Sequence, residues 1–282
     1  MEGGKIRCKL TNYILKLFDT HIHSEFSPDG RMTMEVALEA ALKKGLGGIS
    51  FTDHFDIDAP GDNSHFSFDP LEQQTRIDSL RPKTDLYIGK GIELGLQPRA
   101  LESAKKAVSL FNFDVIIASV HFVDGVDPYH DKYYDLRNEK VAYSRYLETI
   151  YECIAGYSNF DILGHFDYIT RYSPYLNKSL TMREYGDFLD PILRYLASNG
   201  KALEINTNTY KARNGASPTL DKAVLKHFKQ IGGEFVSLGS DAHDYSRVGD
   251  GFDDAIATMI SLGFNNTTYF IERKAIIIPL PI

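Results

Sequence analysis

The chain has 282 residues, of which 43% are hydrophobic and 24% charged, a composition typical of an ordinary globular protein. Its formal net charge of −7 argues against a nucleic-acid backbone as the main partner, because such partners require a basic face. Neither a signal peptide nor an apolar run of about 20 residues is found, so we expect no membrane partner and a cytoplasmic location.

Short apolar runs alternate with longer helical patterns along the chain. In order, the pattern predicts a strand over 15–20, a helix over 33–44 that ends at Gly45, a strand over 47–54, a helix over 70–81, a strand over 86–94, a helix over 98–110, a strand over 113–121, a helix over 138–155, a strand over 160–167, a helix over 182–199, a strand over 202–208, a helix over 218–231, a strand over 234–243 and a helix over 251–262. The segment 267–274 predicts an extra strand, and 275–282 predicts a last strand or a tail packed on the body.

The predicted strands are rich in Ile, Val, Phe and Leu and show little alternation, which is typical of parallel strands buried on both faces. About seven repeated strand–helix units predict a barrel, incomplete or distorted, with its helices outside. No linker divides the chain, so we expect one domain over 1–282, with 1–13 as an irregular N-terminal extension. Two long loops, 56–69 and 122–137, are expected to shape a substrate site.

Most of the nine histidines fall at the carboxyl ends of predicted strands. These histidines are His21, His23, His54, His121, His165 and His243, and Glu93 and Asp241 occupy equivalent places. Because the carboxyl ends of barrel strands open on one face, the eight side chains are expected to converge there. The remaining His65, His130 and His227 are interpreted as solvated, although His65 and His130 lie in the long loops and could touch a substrate.

This set of side chains suits a metal cluster, because neutral imidazoles and carboxylates together bind zinc, manganese or iron. The spacing of His21 and His23 puts both rings on the same face of a strand. Glu93 ends an otherwise apolar strand, where a carboxylate is costly to bury unless it is paired or ligated. A position bridging two cations would account for Glu93.

Six dispersed motifs, FDTHIHSEFSPDG, SFTDH, GIELG, SVHF, LGHFDY and SDAH, resemble those of the PHP (polymerase and histidinol phosphatase) superfamily, in order and over nearly the whole chain. The resemblance implies a distorted (β/α)7 TIM-like barrel with up to three divalent ions, which would be zinc, iron or manganese. It also implies that one ion is held by His21, His23, Glu93 and Asp241, a second by Glu93, His121 and His165 with Glu93 bridging, and a third by His54 and His243.

The third ligand of that last ion is open in the sequence. Some relatives carry a histidine in the loop after the first motif, whereas this loop reads SEFSPDG. Asp29 is the best candidate, either as a ligand or as an acid near the leaving group, and Glu25 is a weaker one. Asp53 either orients a ligand of the metal or has a plain structural role.

Three further segments, VHFVDG, GHFDYITRY and EINTNTYKAR, look most like the histidinol-phosphate phosphatases within the superfamily. In that group, arginines after the GHFD and ExNT strands grip the phosphate, and Arg171 and Arg213 match those places. The loop before Arg213 is longer than the Ser-Gly pair usual in the group. The acidic residues expected in the mouth loops would suit a cationic leaving group; they are Asp56, Asp58, Asp124, Asp127 and Asp244.

The resulting hypothesis is a metal-dependent phosphomonoesterase that hydrolyses L-histidinol phosphate to L-histidinol and phosphate. Its small phosphorylated substrate would be attacked in line by a water activated at the metals, with Asp29, Arg171 and Arg213 as catalytic residues. One alternative is a phosphoesterase acting on a nucleotide, an oligonucleotide or phosphotyrosine, and another is a non-catalytic metal-binding barrel. The two cysteines lack a CxxC spacing and are interpreted as structural.

Overall fold

The computed structural model describes residues 16–61, 66–213 and 215–281, so the predicted N-terminal extension lies outside the described residues. The strands are β1 (Phe18–Ile22), β2 (Gly48–Phe51), β3 (His54–Asp56), β4 (Tyr87–Gly95), β5 (Val115–Ser119), β6 (Ile162–Leu163), β7 (Ala202–Asn206), β8 (Val236–Gly239), β9 (Asn266–Ile271) and β10 (Lys274–Pro279). The helices are α1 (Met34–Lys43), α2 (Pro70–Leu80), α3 (Leu101–Val108), α4 (Glu139–Gly156), α5 (Met182–Ser198), α6 (Lys222–Gln230) and α7 (Phe252–Ser261).

Seven parallel strands form a nearly closed barrel in the order β1-β2-β4-β5-β6-β7-β8, and the short β3 pairs with β4 beyond the end of β2. Between β1 and β8 there is an isolated bridge from Ile22 to Ala242 rather than a regular ladder. Two backbone hydrogen bonds close this seam: His23 N–H donates to Ala242 O at 3.0 Å, and Asp241 N–H donates to His21 O at 2.8 Å. The predicted distorted (β/α)7 barrel is confirmed.

Five of the seven described helices begin where the sequence supplies an N-cap side chain. The Thr33 hydroxyl accepts from Val36 N–H at the start of α1, and the Asp69 carboxylate accepts from Leu71 N–H at the start of α2. Asn138, Thr181 and Asp221 act in the same way for α4, α5 and α6. None of the described helices is long and apolar enough to cross a membrane.

Two predicted segments differ from the observed structure. The strand expected over 160–167 is reduced to the two residues of β6, after which Gly164 packs so tightly on Ser119 that a Cβ there would lie 2.5 Å from its hydroxyl. The C-terminal segments form the extra strand and, of the two alternatives for 275–282, the last strand, but the two pair as an antiparallel hairpin, β9–β10, whose turn lies inside the strand expected over 267–274. Glu272 and Arg273 form its turn, both with positive φ.

The β9–β10 hairpin packs at the amino-terminal ends of the barrel strands. Tyr269 stacks on Phe18, the first residue of β1, with ring centroids 3.7 Å apart, and Phe270 packs against Val115, the first residue of β5. The hairpin therefore covers one end of the barrel, and the carboxyl ends of the strands are left to form the opposite mouth.

Candidate metal centre

All eight side chains that the sequence places at strand ends meet at the carboxyl mouth of the barrel. The structure arranges them in four overlapping groups whose ligand atoms lie within 4.8 Å of one another: His21, His23 and Asp241; His21, Glu93 and His165; His54, Glu93 and His121; and His23, His54 and His243. Most of these side chains are buried, because they line the inside of the mouth. The predicted convergence is therefore observed.

Glu93 lies at the centre of the cluster, near the end of β4 and directly across from His54 in the β3–β4 register. Five imidazole nitrogens lie within 3.5 Å of its carboxylate oxygens: His165 Nε2 at 2.7 Å, His54 Nδ1 at 2.8 Å, His121 Nε2 at 3.2 Å, His21 Nε2 at 3.4 Å and His23 Nε2 at 3.5 Å. A single carboxylate among so many imidazoles has the donor geometry expected of a bridging ligand.

The donors of the cluster fit a cation better than they fit one another. His54 Nδ1 and Glu93 Oε2 are 2.8 Å apart, yet both atoms are buried without a geometrically acceptable hydrogen bond. His21 Nε2 and His23 Nε2 lie 3.2 Å apart. Buried polar atoms are rarely left without partners, and nitrogen lone pairs brought together with carboxylates are the usual surroundings of zinc or manganese. The residues present therefore fit divalent metal ions.

Asp241 joins the cluster to Arg171. Its Oδ1 lies 3.3 Å from His23 Nε2, while its Oδ2 accepts from Arg171 Nη1 at 2.8 Å. Asp241 has φ of +50°, a left-handed conformation that is uncommon for a residue with a side chain. This backbone conformation follows directly after β8 and sends the carboxylate back into the mouth.

The third predicted ion site contains a half-exposed carboxylate as well as His54 and His243. Asp29 Oδ2 lies 3.2 Å from His243 Nε2, and Asp29 Oδ1 lies 3.6 Å from His54 Nε2. Glu25, the weaker candidate, lies elsewhere: its Oε2 accepts from Met34 N–H at the start of α1. The geometry therefore places Asp29, and not Glu25, beside the two imidazoles.

Four of the rings are oriented by acceptors behind them, among them His243, whose Nδ1 lies 3.0 Å from the carbonyl oxygen of Asp241. Such contacts fix the tautomer and direct the other ring nitrogen at a metal. His21 Nδ1 lies 2.8 Å from Glu204 Oε1, and His121 Nδ1 lies 3.0 Å from Asp56 Oδ1. His23 Nδ1 lies 2.9 Å from the Ser27 hydroxyl, which donates to Asp53 Oδ1 at 2.8 Å. Among the two readings of Asp53, the geometry favours orientation of a ring, acting through Ser27.

The charges within this cluster favour the binding of cations. Burial raises the pKa of Glu93, but the charges of the surrounding imidazoles lower it well below its usual range. Burial likewise raises the pKa of Asp241, but the Arg171 guanidinium lowers it well below its usual range. Burial and neighbouring imidazoles lower the pKa of His23, whereas carboxylates raise that of His21 against the effect of burial. Both carboxylates are therefore ionised, and a metal must compete with a proton for His21.

A cavity of about 620 Å³ opens over the cluster. Four basic side chains line it: Arg31, Arg171, Lys211 and Arg247. Aromatic and acidic side chains from the loops after β5 and β6 also line it: Phe122, Asp127, Tyr129, Tyr168 and Tyr172. The cavity thus contains both cations suited to phosphate oxygens and a wall suited to a cationic or aromatic group.

The PHP domain family matches residues 19–208, which include most of β1, all of β2 to β7 and six of the eight cluster residues. The chain belongs to the PHP domain family. The resemblance that the dispersed motifs predict, to the superfamily and to its histidinol-phosphate phosphatase group, is confirmed.

Curated relatives match almost end to end. The chain is 32% identical over 263 residues to the histidinol-phosphatase of Lactococcus lactis subsp. lactis, covering 92% of this chain and 96% of the relative. It is 30% identical over 240 residues to a probable histidinol-phosphatase of Clostridium acetobutylicum, covering 85% and 91%. A crystal structure of the Lactococcus lactis histidinol phosphate phosphatase, complexed with zinc, L-histidinol and phosphate, superimposes with a TM-score of 0.83 at 31% identity, covering 93% of this chain and 99% of that one.

The two predicted phosphate-binding arginines lie in different surroundings. Arg171 is buried, lines the cavity and donates to Thr209, Asn206 and Asp241. Arg213 is not among the residues that line the cavity; its guanidinium donates to the carbonyls of its own loop and lies over the Tyr172 ring. The structure therefore brings Arg171 to the site and Arg213 behind its wall.

Only some of the other residues predicted at the mouth line the cavity. Of the five acidic residues, Asp56, Asp127 and Asp244 line the cavity, whereas Asp58 and Asp124 do not. Among the scattered histidines, His130 lines the cavity, while His227 lies 2.6 Å from Asp190 on the outer helices. His65 lies outside the described residues.

Two residues of the site were missed by sequence reasoning. Glu204 lies inside the apolar strand β7 and is fully buried, the same signal that identified Glu93. Its Oε1 contacts His21, and its Oε2 accepts from the backbone N–H of His165 at 2.7 Å. Gly239 makes room for this pair, because a Cβ there would lie 2.1 Å from Glu204 Oε1. Asp56 was predicted only as one of the acidic residues of the mouth, and its contact with His121 was missed.

Proposed function

We propose that this chain is a metal-dependent phosphomonoesterase that hydrolyses L-histidinol phosphate to L-histidinol and phosphate. The observation that carries the proposal is the complete set of eight convergent donors around Glu93, beneath a cavity that has both basic and aromatic lining. The similarity to the zinc-, histidinol- and phosphate-bound enzyme over 93% of the chain supports the choice of substrate.

The donor set is proposed to hold three divalent ions, with Glu93 bridging two of them. The first ion would be held by His21, His23, Glu93 and Asp241, the second by Glu93, His121 and His165, and the third by His54, His243 and Asp29, as the contacts among these side chains allow. Zinc, iron and manganese all suit imidazole and carboxylate donors. Bound ions would supply a water nucleophile of lowered pKa and positive charge for the phosphate oxygens.

Arg171 is proposed to grip the phosphate. A guanidinium has five N–H groups, and the hydrogen bonds to Thr209, Asn206 and Asp241 leave one on each terminal nitrogen. These bonds also fix the plane of the guanidinium, so that little side-chain entropy is lost when an oxyanion binds. Arg213 is proposed to act indirectly, because it donates to the carbonyl and the side chain of Asn208, which lines the cavity.

Asp29 is proposed to be a metal ligand and not the acid that protonates the leaving group. Burial raises the pKa of Asp29, but hydrogen bonds from His243 and His54 lower it far more, to well below its usual range. A carboxylate held in this way is ionised near neutral pH and has no proton to donate. Bound cations would lower its pKa further.

The test is phosphate release from a panel that contains L-histidinol phosphate, nucleoside monophosphates and phosphotyrosine. The protein is first stripped with a chelator and then reloaded with zinc or manganese. We expect kcat/KM for L-histidinol phosphate to exceed the other values by at least about 100-fold. Comparable values across the panel would reject the narrow substrate assignment, and full turnover by the stripped protein would reject the metal dependence.

Variants of the proposed ligands test the site itself. His21→Ala and Asp241→Asn should abolish turnover in the reloaded protein, because each removes a donor of the first ion. His227→Ala is the matched control, since this histidine lies on α6 and contacts Asp190. Wild-type turnover in either ligand variant would contradict the assignment.

A further inference from the structure

One wall of the cavity is a series of aromatic rings that begins at the metal centre. The ring centroids of His165 and Tyr168 are 5.3 Å apart, those of Tyr168 and Tyr172 are 5.4 Å apart, and those of Tyr172 and Tyr129 are 4.9 Å apart. Arg171 already lies over the Tyr168 ring and Arg213 over the Tyr172 ring. Among the described residues no such cation lies over Tyr129, whose side chain is 57% exposed.

A carboxylate lies within this wall. Asp127 Oδ1 accepts from the backbone N–H of Tyr129 at 2.7 Å and from the Tyr168 hydroxyl at 3.1 Å. These two bonds fix the carboxylate and leave Oδ2 without a hydrogen bond inside the described part of the chain. Asp127 also has no arginine or lysine partner there, whereas Asp124, on the same loop, pairs with Arg145 and Arg137.

The other acidic residues of the mouth lie in different surroundings. Asp56 is held 3.0 Å from His121 Nδ1, and Asp244 accepts from Ser246 at the start of a short helical turn. Asp58 and Asp124 do not line the cavity. Within the described residues Asp56 and Asp244 also keep one carboxylate oxygen without a hydrogen bond, but Asp56 Oδ2 is buried and Asp244 feels the positive charges of Arg31 and Lys211. Asp127 is therefore the carboxylate among the five that lies within the aromatic wall of the cavity.

We propose that Asp127 and Tyr129 form a subsite that binds the positively charged nitrogen group of the leaving alcohol. This inference rests on the proposed function, since it concerns the part of the substrate beyond the phosphate. The phosphate would lie over the metal centre beside Arg171, and the cation would pair with Asp127 Oδ2 and lie against the Tyr129 ring. The same carboxylate repels leaving groups that carry a negative charge, so the subsite selects by exclusion as well as by attraction.

The test compares two esters that differ in the charge of the leaving group, L-histidinol phosphate and p-nitrophenyl phosphate. In the zinc-loaded enzyme, Asp127→Asn should lower kcat/KM for L-histidinol phosphate by about 10- to 100-fold more than for p-nitrophenyl phosphate. This factor is what the loss of one hydrogen bond to a charged group is expected to cause. L-Histidinol, added as an inhibitor of p-nitrophenyl phosphate hydrolysis, should show a Ki raised by a similar factor. The Ki of inorganic phosphate should rise much less.

Asp124→Asn is the matched control, because it removes the same charge from the same loop at a residue outside the cavity. It should leave both kcat/KM values within about twofold of wild type. Equal losses on the two esters in Asp127→Asn, or no loss on either, would overturn the subsite. If a thermal melt shows that Asp127→Asn is not folded, the same comparison is made with Tyr129→Ala. It removes an exposed ring and should cost roughly 2- to 5-fold on L-histidinol phosphate alone, and an unchanged preference between the two esters would overturn the subsite.

The two proposals fail in different ways. If wild type shows no preference for L-histidinol phosphate and no inhibition by L-histidinol, the proposed function is wrong. If wild type shows the preference and Asp127→Asn and Tyr129→Ala keep it in full, the function stands and the subsite is wrong.

Discussion

Replacing Glu204 with glutamine removes one negative charge beside His21 and keeps the shape of the side chain. A carboxylate can only accept hydrogen bonds, so the 2.8 Å contact with Glu204 Oε1 requires the proton of His21 to be on Nδ1. The lone pair of His21 Nε2 then faces Glu93 and Asp241. Glu204 thus decides which nitrogen of His21 is available to a metal.

The amide cannot satisfy both sides of the site. If its oxygen stays on the backbone N–H of His165, its NH2 group faces His21 Nδ1 and favours the tautomer that carries the proton on Nε2. If the amide turns over, its NH2 group faces the N–H of His165 and two donors oppose each other. Loss of such an orienting partner costs about 10- to 100-fold in metal affinity, which corresponds to about 1.4 to 2.7 kcal/mol.

The assay is competition for zinc between the stripped protein and a chromophoric chelator, followed by activity at stepped free zinc concentrations. Glu204→Gln should need about 10- to 100-fold more free zinc for half-maximal activity. Glu102→Gln, at an exposed position of α3, is the matched control. A zinc affinity within twofold of wild type, in a variant whose thermal melt shows it to be folded, would refute the reasoning.

Three further predictions follow from contacts described above. Arg171→Ala should lower kcat/KM by about 10²- to 10³-fold and also weaken zinc binding, because it releases Asp241. The exposed Arg194→Ala should change neither quantity. An unchanged kcat/KM in Arg171→Ala would show that Arg171 does not act in the site. The Cys153 thiol is buried and its pKa is raised to about 12 by burial, so in a variant whose other cysteine is serine, a thiol reagent should react only after denaturant is added; rapid labelling of the native protein would contradict this. Tyr269→Ala should lower the free energy of unfolding by about 3 to 5 kcal/mol, against little change for the exposed Lys274→Ala, and a loss under 1 kcal/mol in urea titrations would show that the stack on β1 is unimportant.

The convergence of the eight donors could be predicted from the sequence, because the topology of the barrel largely determines it. Parallel strands in a barrel all end at the same mouth, so a histidine or carboxylate that follows an apolar run is brought there wherever it lies in the chain. His23 and His243 meet in this way, with ring centroids 3.9 Å apart, although they follow the first and last strands of the barrel. The sequence does not determine which donors share an ion, because the distances between neighbouring strand ends are similar.

The loops were less predictable. Arg213 and Lys211 are two residues apart in an irregular segment, and only Lys211 lines the cavity. No hydrophobic period constrains where such side chains point, since their direction follows from turns and local hydrogen bonds. In the folded chain, hydrogen bonds from the Arg213 guanidinium to carbonyls of its own loop turn this side chain away from the cavity. The spacing of residues in the sequence does not indicate these bonds.

The turn that joins the two C-terminal strands could not be predicted, for a different reason. A two-residue hairpin turn of type I′ needs positive φ at both central residues, and sequence signals for it rely on Asn and Gly. Here Glu272 and Arg273 occupy these positions. Their backbone N–H groups donate to the side chain and the carbonyl of Asp114, at 3.0 and 2.9 Å, and the Arg273 side chain pairs with Asp161. Long-range contacts therefore hold a turn that local preference alone would not favour.

The seam between β1 and β8 has a consequence for how the molecule assembles. His21 and His23 lie on one side of this seam and Asp241 and His243 on the other, so an ion bound among them would link the two ends of the barrel. Residues from 21 to 243 must be made and docked before that link can form, so an ion held across the seam binds late in folding. A chain released before Asp241 would carry most of the histidines and yet lack the donors on one side of the seam, so it could not bind an ion there.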